Sequence, residues 1–164
     1  MRSPFVRQYY LVVFSLFLFS FIMTVLPLPG ALSLWRPHWV FLAIICLALE
    51  FPSLLSMVSV WFIGLFLDLL LSDVVGVHAI VFAIIFFVIR RLHRWISGLP
   101  LWQMAIVVCV LLIGGMLTQA LLHSLVGIST HFWILCLSIF TNVLVWLLMY
   151  ATVVRYKKRY QIVY

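Results

Sequence analysis

Charged residues are scarce in this sequence. Only 8% of its 164 residues are charged, and three of these are acidic, whereas 68% of all residues are apolar. So few charged side chains cannot form the water-facing surface of a soluble domain, which excludes soluble enzymes and soluble binding modules. The composition therefore predicts an all-α integral membrane protein, with residues 1–164 in a single polytopic domain.

Cysteine is also sparse. The three cysteines, Cys46, Cys109 and Cys136, each lie inside an apolar run, without C-x-x-C spacing and without a histidine at ligand spacing. This pattern argues against disulfides and against a structural metal site. We interpret the cysteines as small apolar packing residues.

Motifs of common enzymes are missing as well. The sequence has no Gly-x-Ser-x-Gly elbow, no His-Glu-x-x-His helix and no P-loop. Asp68 and Asp73 lie five residues apart, whereas an aspartyl protease needs two carboxylates that converge from separate elements. Four histidines fall at predicted helix ends, where a histidine is commonly solvated: His78, His93, His123 and His131. We predict no enzyme activity, no cofactor and no metal site.

The first apolar run resembles the start of a secretory signal, because it follows Arg2 and Arg7. This run, residues 9–26, is longer than a usual signal core, and a Pro-Leu-Pro-Gly sequence follows where small residues would mark a cleavage site. We therefore predict an uncleaved first helix. Cleavage after Ala31 or Ser33 is the alternative.

Six apolar runs are separated by proline, glycine and charged residues, which predicts six membrane-spanning helices. The predicted helices span about residues 9–26, 39–51, 54–71, 74–89, 101–122 and 132–154, with a basic tail over residues 155–164. The second helix is short. Helices two and three are alternatively a single long span, which would give five crossings.

Nine of the ten basic residues form three clusters. An N-terminal cluster contains Arg2 and Arg7; the central basic cluster contains Arg90, Arg91 and Arg94; and a C-terminal cluster contains Arg155, Lys157, Lys158 and Arg159. Six crossings place all three clusters on the cytoplasmic side, whereas five would place the central one outside, against the positive-inside rule. We predict six crossings, both termini in the cytoplasm, and contact of the clusters with membrane lipids rather than with nucleic acid.

Few acidic side chains are available to pair with these cations. Asp68 falls near the C-terminus of the third helix, where the helix macrodipole disfavours a carboxylate. We predict that Arg36 pairs with Asp68 or Asp73 and holds helix two against helix three. Glu50 is placed to meet the central basic cluster. A solvated, interfacial carboxylate is the alternative for Glu50 and Asp73.

Small and polar residues recur on one face of several predicted helices, which permits close approach of a neighbouring helix. In the third helix these residues are Ser56, Val60, Gly64 and Asp68, and in the fifth they are Gly114, Gly115, Thr118 and Gln119. Ser138, Thr141 and Asn142 lie near the middle of helix six. We interpret these sets as helix-packing faces, some open to a partner helix; a ligand pocket is the alternative.

Three sequence patterns follow one another in a familiar order. They are Trp35-Arg36-Pro37-His38-Trp39-Val40; Gly64-Leu-Phe-Leu-Asp68 followed by Gly76-Val-His-Ala79; and Leu101-Trp102-Gln103. Together they resemble the MreD family, the bacterial rod shape-determining membrane proteins. His38 stands where many members have asparagine or aspartate, which leaves a hydrogen-bonding role of this side chain open.

The resemblance implies a non-enzymatic subunit of the machinery that elongates the lateral cell wall, located in the bacterial inner membrane. The implied partners are the single-span protein MreC, the actin-like MreB filament, and the wall synthases RodA and a penicillin-binding transpeptidase. The family's compact six-helix bundle is similar to the substrate-binding subunits of energy-coupling-factor transporters. The alternative function is therefore binding of a vitamin-like small molecule for transport.

Overall fold

The computed structural model describes residues 4–26, 37–52, 54–127 and 132–159. Within these ranges the chain is helical, which confirms the prediction of six helices. They are α1 (Pro4–Val25), α2 (Trp39–Glu50), α3 (Met57–Leu71), α4 (Val77–Ile96), α5 (Leu101–Leu125) and α6 (Phe132–Arg159).

The bounds of α3 and α4 differ from the predicted ones. Helix α3 begins at Met57 rather than at residue 54, because Ser56 and Ser59 form a reciprocal capping box. Helix α4 begins only after Gly76, whose φ of 100° is incompatible with a right-handed helix. It continues to Ile96, since no helix breaker occurs before Gly98. The central basic cluster therefore lies inside α4 and not beyond its end.

Helix α2 forms the centre of the bundle. Residues 40–49 are all buried, and α2 packs against α1, α4 and α6. Its sequence is apolar on every side, which is the pattern of a helix that is surrounded on every side. Its 12 residues rise only about 18 Å, whereas a hydrocarbon core is about 30 Å thick. The helix of the short predicted crossing is thus a core helix that contacts other helices rather than lipid, and its crossing stays a prediction.

The exterior of the other helices is apolar, and several polar side chains are buried inside. Large apolar side chains are exposed on each of these helices, among them Phe14, Phe62, Phe87, Leu121 and Leu148. Fully buried polar side chains include those of Ser20, Asp68 and Asn142. An exterior of this kind is expected of a protein that faces lipid, since soluble proteins rarely expose large apolar patches.

Two described segments are long and apolar enough to cross a membrane by themselves, as judged by length and composition. They are Leu101–Leu125, which is α5, and Ser138–Tyr156, which is part of α6. The apolar segments Val13–Val25, Trp39–Glu50 and Met57–Leu71 are shorter.

Helices α3 and α4 form a tightly packed antiparallel hairpin. At Gly64 a Cβ atom would collide with the Ala79 Cα and lie only 2.6 Å from the Ala79 backbone nitrogen. The two backbones therefore touch at this point. Val60, Gly64 and Asp68 are buried, while Ser56 is exposed and caps α3 from outside the helix. The α3 face that was predicted to be open to a partner helix is instead occupied by α4 of the same chain.

The two glycines of α5 have different surroundings. A Cβ atom on Gly115 would lie 2.7 Å from Cζ of Phe41, so the space beside this glycine is occupied by the central helix α2. Next to Gly114 nothing lies within 4 Å of the corresponding position. The Thr118 hydroxyl donates to the Gly114 carbonyl at 2.8 Å. Gly114 and Thr118 therefore remain on the outer side of the bundle, whereas Gly115 is wrongly included in the predicted open face.

Candidate functional site

A group of polar side chains joins three helices at one end of the bundle, and we call it the polar network. Its members are Asp68, Asp73, His78, Gln119 and His123. They come from the last turn of α3, the α3–α4 connection, the first turn of α4 and the last two turns of α5.

Asp68 is the most buried member of the polar network, with no exposed surface. Its Oδ2 accepts a hydrogen bond from the Gly76 backbone N–H at 2.8 Å, and its Oδ1 accepts from the His78 backbone N–H at 3.0 Å. Oδ1 also lies 2.7 Å from Nδ1 of His78. The N-cap residue of α4 is Gly76, which has no side chain to cap the helix. Asp68 therefore supplies, from α3, the carboxylate that satisfies free N–H groups and the positive end of the α4 dipole.

This arrangement answers the expectation that Asp68 needs a compensating donor or cation. In the described residues the compensation comes from the N-terminus of α4 and from His78. Arg36, its predicted partner, lies outside the described residues, so the pairs of Arg36 with Asp68 or Asp73 stay a prediction. The sequence did contain a signal for this cap. Gly76, which directly precedes α4, has no side chain to cap the helix, and an aspartate lies a few residues before it.

The histidines of the polar network are buried, contrary to the expectation that helix-end histidines are solvated. His78 is 6% exposed and His123 is 8% exposed. Nε2 of His123 lies 3.1 Å from Oδ1 of Asp73, and Nδ1 of His78 lies 3.7 Å from Oδ2 of Asp73. Both rings point into the space between helices, where they contact carboxylates. That contact depends on the relative position of α3, α4 and α5, which local sequence does not specify.

Gln119 links α5 to the same group. Its Nε2 lies 3.3 Å from Nε2 of His78. An ionised carboxylate only accepts hydrogen bonds, so the proton of a neutral His78 ring belongs on Nδ1, facing Asp68. Nε2 then accepts from the Gln119 amide. With this tautomer every hydrogen bond of the chain from α5 through His78 to Asp68 has one donor and one acceptor.

Three members of the polar network have the atoms of a metal site. One ligand atom each from Asp68, Asp73 and His78 lies within 4.8 Å of the others, and carboxylate and imidazole ligands suit Zn²⁺ or Mn²⁺. Here, however, Asp68 already accepts from two backbone N–H groups and from the His78 ring. A metal ion held by Nδ1 of His78 and Oδ1 of Asp68 would have to push these two atoms apart, because they are only 2.7 Å from each other. The geometry is that of a helix cap and an interhelical bridge, and the absence of a metal site stays a prediction.

A second polar contact fixes the start of α2. The His38 backbone N–H donates to Oδ1 of Asn142 at 2.7 Å, and Nδ2 of Asn142 lies 3.2 Å from Nδ1 of His38. Asn142 is fully buried in α6, while α2 has no capping hydrogen bond from its own N-cap side chain. The His38 side chain thus does hydrogen-bond here, and again a neighbouring helix holds a helix start.

Glu50 lies at the other end of α2. The Tyr150 hydroxyl of α6 donates to Sδ of Met104 on α5 at 3.7 Å. Arg90, Arg91 and Arg94 are exposed on α4. The predicted pairing of Glu50 with this central basic cluster stays a prediction.

Replacing Asn142 with leucine is expected to destabilise the protein by about 1–3 kcal/mol, the cost of leaving a buried donor without its acceptor. Thr141→Val is the matched control, because the Thr141 hydroxyl donates only to the Ser138 carbonyl of its own helix. Thermal unfolding of the purified proteins in detergent measures both changes. Equal melting temperatures for the Asn142 variant and the control would contradict the role of Asn142.

Comparisons with known proteins agree with the sequence patterns. The family model of rod shape-determining protein MreD matches residues 6–155, which include the polar network and the contact between His38 and Asn142. The rod shape-determining protein MreD of Haemophilus influenzae is 28% identical over 147 residues, covering 89% of this chain and 90% of that protein. No solved structure matches the chain. The predicted resemblance is confirmed, and the chain belongs to the MreD family of rod shape-determining membrane proteins.

Proposed function

We propose that this protein is a non-enzymatic scaffold in the machinery that elongates the lateral cell wall, where it binds an MreC-like single-span partner through helix packing. The family match supports the role in rod shape. The scaffold mechanism is supported by one observation: side chains of the polar network join α3, α4 and α5 to one another. A bundle braced in this way presents a fixed apolar surface to other membrane helices.

A catalytic role finds no support in the polar network. Asp68 is enclosed and already accepts three hydrogen bonds. His78 is held between Asp68 and Gln119, and His123 faces Asp73. A general acid or base must reach a substrate proton, whereas these groups are directed at one another.

The proposed topology has six crossings in the bacterial inner membrane with both termini in the cytoplasm. The polar network and the C-terminal end of α5 lie at one end of the bundle. The exposed central basic cluster and exposed Arg155 lie on helices that run away from that end. The positive-inside rule assigns the basic end to the cytoplasm and the polar network to the periplasmic side.

The partner helix is proposed to pack on α5. Gly114 has open space beside it and Thr118 is half-buried. Exposed Val110, Leu117 and Leu121 flank them. Small residues allow close approach of helix backbones in a membrane, and packing inside this chain has already used Gly64 and Gly115. The MreB-like filament and the wall synthases, RodA and a penicillin-binding transpeptidase, are proposed as further partners, reached directly or through the single-span protein.

The alternative function is that of a vitamin-binding transporter subunit, with a bundle similar to those of energy-coupling-factor transporters. It requires polar groups that converge on a ligand near the ends of α3, α5 and α6. In the described residues at this end, Asp68, His78 and His123 are bonded to one another or to Asp73 and Gln119. The scaffold is therefore the better supported function.

Tagged protein, extracted in mild detergent from cells that also express the MreC-like protein of the same organism, is expected to co-purify with it. Gly114→Leu should reduce the recovered partner several-fold, because a leucine fills the open position on α5. Cys109→Leu, which introduces the same side chain at another half-buried site of the same helix, should leave recovery unchanged.

Depletion of the protein should turn rod-shaped cells round, and the wild-type gene should restore the rods. Recovery of a bound vitamin-like molecule together with rods that persist after depletion would overturn the proposal. Equal recovery of the partner by both leucine variants would remove α5 as the docking helix.

A further inference from the structure

The first charged residues of α4 come early in the helix. From Val77, residues 77–89 are apolar except for His78 of the polar network, and Arg90 and Arg91 follow directly. Residues 77–89 rise only about 20 Å at about 1.5 Å per residue. A hydrocarbon core is about 30 Å thick, so the apolar part of α4 is about 10 Å shorter than the core.

Helix α3 has the same shortage and lies beside α4 at the same depth. Its 15 residues rise about 22 Å. The contact of Gly64 with Ala79 and the bond from Asp68 to His78 fix the two helices side by side. Both helices expose large apolar side chains, among them Val58 and Phe87. On the side of the bundle formed by the hairpin, the apolar surface is therefore shorter than the hydrocarbon core.

Helix α5 is longer, and the polar network sets its depth relative to the hairpin. Gln119 contacts His78 and His123 contacts Asp73, so the polar ends of α3, α4 and α5 lie at one level. From Gln119, which lies beside His78, α5 extends back to Leu101 over about 28 Å, whereas the apolar part of α4 from His78 to Ile89 rises about 18 Å. The difference in length must therefore fall at the other end. Arg90 and Arg91 lie about 10 Å short of the depth that α5 reaches.

The charges of the central basic cluster exceed what the protein can neutralise. The chain has three acidic residues, and two of them, Asp68 and Asp73, lie in the polar network at the opposite end. Glu50 alone is left for three exposed arginines. A guanidinium does not lose its proton in proteins. At least two cations must therefore find counter-charges outside the protein.

We propose that the α3–α4 hairpin thins the bilayer next to it, and that Arg90 and Arg91 bind the phosphate groups of anionic phospholipids that are drawn in there. Long arginine side chains reach toward the interface, and their planar forks bind phosphate with two parallel hydrogen bonds. Exposed Leu92 and Trp95, 81% exposed, sit among these arginines. Apolar and aromatic neighbours favour a lipid over a soluble phosphate, since tryptophan is enriched at membrane interfaces. The inference rests on α3 and α4 crossing the membrane and is independent of the protein partner.

Bilayers of graded thickness test the thinning. The protein is reconstituted into phosphatidylcholine of increasing chain length, and thermal unfolding is measured in each. Maximal stability is expected in bilayers thinner than average. In the double variant Arg90→Leu and Arg91→Leu, the next charge on α4 is Arg94, so the optimum should move to thicker bilayers, by at most about 6 Å because α3 keeps its length. Arg155→Leu, at the end of the longer helix α6, is the control and should not move it. An unchanged optimum in the double variant would overturn the thinning.

Lipid retention tests the headgroup site. Native mass spectrometry of protein from mixed phosphatidylglycerol and phosphatidylcholine membranes should show preferential retention of phosphatidylglycerol. Retention should fall about tenfold in the double variant, the order expected from two cations near anionic lipid, and remain unchanged with Arg155→Leu. Inorganic phosphate in excess should not displace the lipid. Equal retention by wild type and the double variant, or displacement by inorganic phosphate, would overturn the site. Capture of the MreC-like partner is a separate measurement, so failure of the lipid site and failure of the proposed function are distinguishable.

Discussion

Replacing Asp68 with asparagine is expected to lower the free energy of unfolding by about 3–5 kcal/mol, the range for removing one partner of a buried charged contact. The carboxylate accepts from the backbone N–H groups of Gly76 and His78 and from the His78 ring. An amide of the same shape has only one accepting oxygen. Its NH₂ group would face a second donor, and the start of α4 would lose its negative partner.

Asp73→Asn is the matched control, because it makes the same chemical change five residues later on a side chain that is 23% exposed. Water can replace part of the bond from Asp73 to His123, so the expected loss is about 1 kcal/mol or less. Chemical or thermal unfolding in one detergent, with helical content followed by circular dichroism, compares the two variants. If the Asp73 variant proved as unstable as the Asp68 variant, the cap across the α3–α4 turn would not be the main role of Asp68.

Shape complementation extends the same comparison to cells. A strain depleted of the protein is supplied with wild type, Asp68→Asn or Asp73→Asn. The Asp68 variant is expected to fail with a low membrane level of the protein, because an unfolded membrane protein is degraded. A normal level together with round cells would instead place Asp68 in a contact with a partner.

The helices were predictable from sequence because a helix in the hydrocarbon core needs a long run of apolar residues. Long apolar runs interrupted by proline, glycine or charge leave little choice of span, and the starts of α2 and α5 agree with the predicted ones. The end of α4 differs from the predicted one, because the drop in hydrophobicity at Arg90 predicts an end at residue 89 whereas the helix continues to Ile96. Arginine is a good helix former, and the backbone does not respond to the loss of apolar character that defines a membrane boundary.

The contacts of the polar network were not predictable in the same way. The His123 ring meets Asp73 across 50 positions of sequence, and Asn142 meets the start of α2 across 104. Such pairs depend on which helices are neighbours and on their relative height. Sequence did indicate that Asp68 needs a partner. It could not indicate that the partner is the next helix itself.

Two helices of this bundle begin in the same unusual manner. Helix α4 is capped by Asp68 of α3, and the backbone N–H at the start of α2 is bound by Asn142 of α6. In each case a side chain that is costly to bury gains its partners from the free end of a neighbouring helix. The few polar residues of this chain therefore act as connectors that set helix positions. In a lipid environment, where apolar contacts between helices add little preference over contacts with lipid, such connectors specify the arrangement.

The second large effect is expected from Gly64→Ala, which should lower the free energy of unfolding by about 3 kcal/mol or more, at or beyond the upper end for overpacked cores. The added methyl group would collide with the Ala79 Cα and press on the Ala79 nitrogen. These are backbone atoms, which cannot rotate away as a side chain can. The α3–α4 hairpin must then open, and opening it withdraws Asp68 from the N-terminus of α4.

Gly114→Ala makes the identical change in another helix of the same bundle, at a position with nothing within 4 Å. It should be neutral or stabilising by about 0.5–1 kcal/mol, because alanine favours a helix more than glycine does. Unfolding of both variants in detergent measures the two changes in stability. Equal stability of the two variants would contradict the claim that contact with the Ala79 backbone requires a glycine at position 64. Since the hairpin contact also positions Asp68, Gly64→Ala and Asp68→Asn act on one structure. Their combined cost should therefore be smaller than the sum of the two single costs.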